Sequence, residues 1–440
     1  MQVRMTLTIL GAIAHSIELL LLLATLPLLA ELLFLTLGAM LPARGWELEG
    51  DGFGLAGDLA EDKRQPEPVK RLMVVVPSHN EELSIARCVE SLTRATGSAR
   101  DVIVVAHNCG DRTAEIARRA GARVEELNDP ALAGKGHALT HGFRCAFESC
   151  GADAVMIVDA DSTVSENMTK EAALRLAYSP VIQCRYQVRN YRATWRTGMT
   201  ALAFLGINVV RPRGRDRLGL SCGIFGNGFA MRKEVLEQVA YDAHSIVEDM
   251  EFHLALVAHG YQVRFVNDAV VLGDMPLSAK TSASQHSRWE GGRLRLLSDW
   301  GPRIARKIFA SRPALAEPLL DLLSLPLALE VFALCLLLLF PAPAAREYVA
   351  FGFGVILLHL AVVVGVSPEP GLSLRTLLQA PVYLFWRLTK LTSVVRASGK
   401  GAAWVRTTRD AEAGAAGNEI LASNAINAVA NAGHGTQERP

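Results

Sequence analysis

Little in this chain points toward nucleic acid. Forty-five lysines and arginines stand against 44 aspartates and glutamates, for a net charge of +1, so no global positive field is present. Aromatic residues make up only 6% of the chain, and no arginine-rich run of the kind that tracks phosphate backbones occurs. The seven cysteines (Cys88, Cys109, Cys145, Cys150, Cys184, Cys222 and Cys335) are odd in number, scattered and without a Cys-x-x-Cys pair. That excludes a disulfide framework or a zinc site and reads as reduced core residues. No Gly-x-Gly-x-x-Gly follows the first apolar strand, which argues against a dinucleotide-binding enzyme. No internal repeat is present.

What the chain has in excess is apolar surface. Half of its residues are hydrophobic and its mean hydropathy is +0.23, concentrated at the two ends. From Leu7 to Leu41 only His15, Glu18 and Glu31 interrupt an apolar segment. About 20 apolar residues span a bilayer core, so this segment crosses once, tilted or kinked at Pro27. Arg4 is its only preceding fixed charge, and the run is too long for a cleaved signal peptide, so residues 1–42 read as a retained helix. Leu319–Phe340 and Tyr348–Val366, joined by Pro341–Glu347, read as a transmembrane hairpin within 317–367. Its Asp321 and Glu330 are expected near an end of the span or facing protein.

Arg375, Arg387, Lys390, Arg396, Lys400, Arg406 and Arg409 follow the hairpin, and the positive-inside rule places them in the cytoplasm. Two crossings back, the segment 42–315 is then cytoplasmic and the N-terminus lies outside. The basic-apolar stretch 301–316 reads as an interfacial helix, and 372–398 as an interfacial or membrane helix. Residues 43–69 are a linker, and the Ala-, Gly- and Asn-rich tail 411–440 is expected to be disordered.

Between the apolar ends, strands alternate with helices. Leu72–Val76, Val102–Val105, Arg123–Glu126 and Ala154–Val158 read as strands, with helices near Glu82–Arg94, Arg112–Ala120 and Gly136–Ser149. This is the pattern of an α/β domain with a mostly parallel sheet, here residues 70–300. Ligands bind such sheets at the carboxyl ends of the strands, where Asn80, Asn108 and Asp159 fall.

The chemistry-bearing residues cluster at those ends. Asp159 and Asp161 end an apolar strand one residue apart, where an extended backbone would point both carboxylates the same way. A divalent metal carrying a diphosphate suits such a pair, and a polar turn gives the same letters. Pro77-Ser78-His79-Asn80-Glu81-Glu82 and His107-Asn108-Cys109-Gly110-Asp111 suit either helix caps, with Asn80 as one cap, or the walls of a nucleotide crevice. Lys135, between Gly134 and Gly136 at a helix start, suits an anion. Gly226-Asn227-Gly228 lets backbone approach a ligand or another strand. Glu248-Asp249 offers one carboxylate to cap a helix and one to abstract a proton. Gln285, Arg288 and Trp289 share one helical face fit for a sugar diphosphate.

Taken in order, Pro77–Glu82, Asn108–Thr113, Gly134–Gly136, Asp159-Ala-Asp161, Gly226–Gly228, Glu248-Asp249 and Gln285-x-x-Arg288-Trp289 resemble the family-2 glycosyltransferases. More narrowly they resemble the membrane-embedded synthases of cellulose, hyaluronan and poly-N-acetylglucosamine, with Trp404–Thr407 matching loosely. The resemblance implies a GT-A fold, Rossmann-like with a mostly parallel sheet, carrying one N-terminal and two or more C-terminal transmembrane helices. It implies a nucleotide-sugar donor, Mg2+ or Mn2+, and inversion at the anomeric carbon. Asp249 would be the catalytic base. Pro77, Asn80, Glu82, Asn108, Asp111, Lys135, Asp159, Asp161 and Arg288 would bind the donor, with Asp161 and Asp159 holding the metal. Gly226, Asn227, Gly228, Glu248, Gln285 and Trp289 would bind the acceptor.

The second strand ends in Ala106-His107 where the family often places a base-binding Asp; UDP remains the expected carrier. The function implied is transfer of a hexose to a lipid-linked or growing glycan in exopolysaccharide synthesis at a bacterial inner membrane, with other assembly proteins as partners. A processive synthase and a catalytically silent membrane scaffold are the alternatives.

Overall fold

The structure, a computed structural model, describes residues 2–43, 68–132, 134–242 and 247–397. The tail, most of the linker, Trp404–Thr407, Lys400, Arg406 and Arg409 lie outside the described residues. Helix α1, Gln2–Met40, has 39 residues, roughly 58 Å of helix against a hydrocarbon core of about 30 Å. Its two halves meet different surroundings. Ile9, Leu10, Ile13, Leu20, Leu23 and Leu26 are exposed, whereas Leu28, Leu29, Leu32 and Leu35 are buried against protein.

Eight strands form one sheet: β1 Leu72–Ser78, β2 Val102–His107, β3 Arg123–Leu127, β4 Ala154–Ile157, β5 Thr163–Val164, β6 Val181–Val188, β7 Phe229–Arg232 and β8 Arg264–Gly273. Their spatial order is β3-β2-β1-β4-β7-β6-β8-β5. The first four run parallel, β7 runs against both β4 and β6, and β6 pairs parallel with β8. Both faces are covered, which explains why β1, β2 and β4 read as unbroken apolar runs. Met73, Val75, Ile103 and Val155 enter one core, and Val74, Val76, Val104 and Met156 the other.

The sheet helices are α2 Ile85–Thr96, α3 Thr113–Arg119, α4 Lys135–Arg144, α5 Met168–Leu176, α6 Trp195–Leu205, α7 Arg211–Arg217, α8 Lys233–Gln238 and α9 Glu248–Ala258. Helix α10, Ala279–Ala310, then runs 32 residues from an N-cap at Ser278, whose hydroxyl accepts the Thr281 N–H. Pro302–Ser311 therefore starts no helix of its own; it is the end of α10, kept helical through Pro302.

The first arm of the expected hairpin is not straight. It divides into α11, Ala316–Leu323, and α12, Leu327–Leu337, with a bend of 72° around Ser324–Pro326. Pro326 supplies no N–H to the helix, and the residue before it is pushed out of helical geometry. Helix α13, Pro343–Gly365, is continuous. The helix expected over 372–398 is, among the described residues, three short ones: α14 Pro370–Leu377, α15 Ala380–Leu388 and α16 Leu391–Ala397.

By length and composition α1 and α13 can cross a membrane, and the bent pair is a third candidate if counted as one span. Thr25 bonds Tyr348 at 2.9 Å and Thr36 bonds His359 at 2.8 Å, eleven residues further along both helices. Helices α1 and α13 thus run parallel, both pointing toward the sheet domain. Helix α7 crosses the end of α1 so closely that a Cβ on Gly214 would lie 2.1 Å from the Leu35 carbonyl oxygen. At that crossing Arg211 and Arg215 both grip Glu31, which is 1% exposed, and Arg211 also reaches Asp321.

Candidate active site

The ends of β1 and β2 are fastened to each other. Asn80 and Asn108 both adopt left-handed backbone, with φ of 56° and 49°. The Asn80 side chain accepts the Gly110 N–H at 2.7 Å, and Asp111 accepts the N–H groups of Glu82 and Thr113 at 3.1 and 3.0 Å. Glu82 in turn accepts the Arg112 N–H at 3.3 Å, and Asn108 donates to the Asp129 carbonyl at 2.9 Å. These residues, expected at the donor, hold the two loops in register. Asn80 caps no helix, because α2 begins only at Ile85. Pro77 sits in β1 opposite Val105.

Strand β4 ends at Ile157, and Asp159 to Ser162 form a turn closed by the Ser162 N–H on the Asp159 carbonyl at 3.0 Å. The carboxylates are therefore set by a turn, not by strand alternation. Asn227 builds that turn. Its side-chain oxygen accepts the Asp159 N–H at 3.1 Å, its amide donates to Ser162 Oγ at 2.8 Å, and Ser162 donates to Asp161 at 3.2 Å. Asn227 is 1% exposed, so its side chain positions the Asp159–Asp161 turn instead of lining an acceptor path. Gln183, fully buried on β6, completes the support by bonding the Asn227 carbonyl and the Phe225 N–H. Gly228 is required for packing: at φ 75°, a Cβ there would lie 2.6 Å from Val271.

Sequence reasoning missed Ser162 and Gln183. The available signal was polar Gln183, Arg185 and Gln187 at alternate positions of an otherwise apolar strand.

Lys135 opens α4 and its ammonium reaches across the site. Nζ donates to Asp159 Oδ1 at 2.6 Å and to the Gly226 carbonyl at 2.7 Å, so the lysine meets a carboxylate and a carbonyl where an anionic ligand was expected. Gly226, at φ 71°, lies against Asp249, and a Cβ on it would stand 3.2 Å from Asp249 Oδ2. The other oxygen, Oδ1, accepts the Met250 N–H at 2.9 Å at the start of α9.

Burial raises the Asp249 carboxyl above its ordinary range, opposed by the Met250 N–H and Lys135. Its neighbour Glu248 is pushed up to about 7 by burial and by Asp249, with Lys135 pulling the other way. Burial lowers the Lys135 ammonium, but Asp159, Glu248 and Asp249 together hold it above the usual lysine value. Arg288, drawn down by burial, feels Glu248 as its opposing charge, which places the Gln285–Trp289 stretch of α10 at the same cluster. Trp289 packs on Phe204 and His286, with ring centroids 6.0 and 5.5 Å away, and the buried Oε1 of Gln285 has no partner among the described residues.

Half-exposed Asp161 and Asp159 offer hard oxygen donors at this cluster. Among the described residues no group of three His, Cys, Asp or Glu side chains converges as a metal cage. That donor set fits a cation such as Mg2+, which keeps few protein carboxylates and completes its shell with water and substrate phosphate oxygens.

The family profile described as "Glycosyltransferase like family 2" matches residues 68–292, half of the chain, and the chain belongs to that family. Its sheet domain is an α/β domain of the GT-A type. It is 26% identical over 234 residues to the probable glycosyltransferase YdaM of Bacillus subtilis (strain 168), covering 50% of this chain and 55% of that protein. It is 29% identical over 119 residues to the 4,4'-diaponeurosporenoate glycosyltransferase of Staphylococcus haemolyticus (strain JCSC1435), covering 26% and 30%. The chain thus spans about half, or less, of the length of these curated relatives.

Among solved structures it is similar to the mannosyltransferase PcManGT from Pyrobaculum calidifontis in complex with GDP-Man and Mn2+. The TM-score is 0.48 at 17% identity, covering 85% of this chain and 97% of that one. It is also similar to glucosyl-3-phosphoglycerate synthase from Mycobacterium tuberculosis in complex with Mn2+, UDP and phosphoglyceric acid. There the TM-score is 0.36 at 21% identity, covering 52% and 78%. The narrower likeness to cellulose and hyaluronan synthases is not shown by any of these matches.

Proposed function

We propose that this chain is a membrane-bound inverting transferase. It moves a hexose from a UDP-sugar to a lipid-linked or growing glycan of an exopolysaccharide, at the cytoplasmic face of a bacterial inner membrane. The observation that carries the reading is Asp249: one carboxylate oxygen is pinned by Met250 N–H while the other faces Gly226, beside the Lys135–Asp159 pair. A base held in one orientation, with a raised pKa, can take the proton of an acceptor hydroxyl as it attacks the anomeric carbon. Attack by that hydroxyl from the face opposite the departing diphosphate would invert the anomeric carbon.

Asp161 and Asp159 would hold the Mg2+ or Mn2+, which when bound supplies charge neutralisation for the diphosphate. Arg288 adds a guanidinium to the same phosphates, and Lys135 keeps three neighbouring carboxylates from repelling an anionic donor. Asn80, Glu82, Asn108 and Asp111 shape the crevice for the nucleoside, and Pro77 sits one residue before the end of the strand beneath it. Glu248, Gln285 and Trp289 border the acceptor side.

The bare apolar half of α1 and the parallel α1–α13 pair support a membrane setting with the sheet domain on the side of both helix ends. With two or three candidate spans, a single addition to a lipid-linked acceptor is favoured over a secretion channel within one chain.

The test is to incubate membranes containing the full chain with a panel of UDP-sugars and Mg2+ or Mn2+, then size the labelled product. One added sugar on a lipid-extractable product supports the reading, and a ladder of long chains replaces it with the processive synthase. Failure of every donor to release nucleotide, with no change on Asp249→Asn, would leave only the silent scaffold.

A further inference from the structure

Helix α10 carries Arg288 and Trp289 near its start and runs on well past them to Ala310. Its last turns bear Arg303, Arg306 and Lys307, and Arg312 follows the cap at Ser311. No acidic residue lies between Asp299 and Glu317. Those two carboxylates are engaged elsewhere, Asp299 with Arg295 at 3.6 Å and Glu317 with Arg215 at 2.5 Å. Neither Arg303 nor Lys307 makes an ion pair or a side-chain hydrogen bond among the described residues.

These two cations line a cleft. Positions 300, 303 and 307 share one helical face, which meets the far end of α9. Leu254 and Ala258 of α9, Trp300, Arg303 and Lys307 of α10, and Leu315 border a space of about 210 Å³. Leu254 and Leu315 belong to the apolar core between α9, α10 and α11, so the floor is apolar. Arg303 and Lys307 are exposed and form a charged rim.

The chain sets this cleft against the membrane segments. Leu315 stands immediately before α11, whose Glu317 and Asp321 bind Arg215 and Arg211 where α7 crosses α1. Phe309, two residues past Lys307, is 91% exposed. Basic residues beside an exposed aromatic compose a surface that rests on a bilayer interface, where anionic lipids supply the counter-charge. A free anion would answer the two cations but not the bare Phe309 or the approach to the α1 crossing.

We propose that this cleft binds the headgroup of an anionic phospholipid, its phosphate held by Arg303 and Lys307 beside Trp300. The inference goes beyond the transfer reaction and rests on the membrane-bound reading for the bilayer itself. One wall is the helix that starts at Glu248-Asp249, and the other is the helix that carries Arg288. The lipid therefore fastens the far ends of both site helices to the membrane surface.

The test uses the full chain in phosphatidylcholine nanodiscs containing phosphatidylglycerol with a photoactivatable group on its headgroup. Labelling is expected on the peptides containing residues 254–258 and 300–307. Unlabelled phosphatidylglycerol should displace it, while inorganic phosphate and further phosphatidylcholine should not. Arg303→Gln and Lys307→Gln should each cut labelling about tenfold, the worth of one charge-assisted hydrogen bond, and Arg303→Lys should retain most of it. Arg375→Gln makes the same charge change at an exposed residue beyond α13 and should leave labelling intact. Ala258→Phe, which fills the cleft without touching the charge, should abolish it, and thermal unfolding of each variant reports its folding.

Label spread over the exposed faces of α1 and α13, or reduced as much by Arg375→Gln as by Arg303→Gln, overturns the proposal. Equal displacement by phosphatidylcholine or by inorganic phosphate does the same. The two readings fail separately. A chain that enters the discs but takes no label at the cleft removes this inference alone, whereas a chain that stays outside them removes the membrane setting and this inference with it.

Discussion

The Lys135 ammonium lies 2.6 Å from Asp159 and sits amid the carboxylates of Asp159, Glu248 and Asp249. It lowers the affinity of both Glu248 and Asp249 for protons. Replacing Lys135 with Ala should therefore raise both and move the acid limb of kcat/KM to higher pH. On that limb the rate should fall about tenfold for each pH unit by which the limb moves. Arg in its place should restore most of the original profile. An unchanged pH profile in Lys135→Ala would detach the lysine from the base.

Asp249→Asn keeps the shape and the Met250 hydrogen-bond acceptor but removes the proton acceptor. The expected loss in kcat is about 10²- to 10⁴-fold, with nucleotide-sugar affinity nearly unchanged. Equilibrium titration of donor, run beside turnover, separates the two. A drop in donor affinity with normal turnover would reassign Asp249 to binding.

Glu248 also ties stability to pH. Its proton affinity is raised on folding from 4.5 to about 7, so the folded state holds a proton that the unfolded chain releases earlier. The stabilisation is full below about 4.5 and is lost as pH rises through 7. Thermal unfolding between pH 5 and 8 should show this decline, and Glu248→Gln should flatten it.

Asn227→Ala leaves the Asp159 N–H and Ser162 without their buried partner. A loss of about 1–3 kcal/mol in stability is expected, together with weaker Mn2+ dependence of turnover, because the Asp159–Asp161 turn loosens. Calorimetry and a metal titration measure the two effects independently. Normal metal dependence would confine Asn227 to a packing role.

The α1–α7 crossing should behave as part of the catalytic domain rather than as a detachable anchor. Glu31→Ala removes one of the carboxylates that Arg211 and Arg215 share and leaves them Asp321 and Glu317, at an expected cost of about 1–3 kcal/mol. Gly214→Val should be at least as damaging, since even a Cβ meets the Leu35 carbonyl. Thermal unfolding in detergent reads both, and wild-type midpoints would show that the helix is only tethered.

Much of the α/β order was legible because β1, β2 and β4 are short apolar runs ended by polar residues. The strands at 72–78, 102–107, 123–127 and 154–157 lie where alternation and turn residues predicted them. The bend at Ser324–Pro326 was not read, although Pro326 is a local signal, because the apolar run masks it. The separate helix expected at 301–316 is instead largely the end of α10, which runs on through Pro302.

At the site, the types and order of the residues were determined by the sequence itself, since turns, helix starts and strand ends are local. Asp159, Lys135, Asp249 and Arg288 could be named one by one for that reason. Which of them touch was decided only by the tertiary structure. The Asn227 amide reaches Asp159 across 68 residues, Lys135 finds Gly226 across 91, and Arg211 finds Glu31 across 180. Contacts over such separations depend on how strands are ordered in the sheet, which spacing along one chain does not encode. The same physics divides the polar residues: a buried one must find a partner, and only the folded chain shows that Asn227 found one in the turn while Arg185 found the Val366 carbonyl and Gln187.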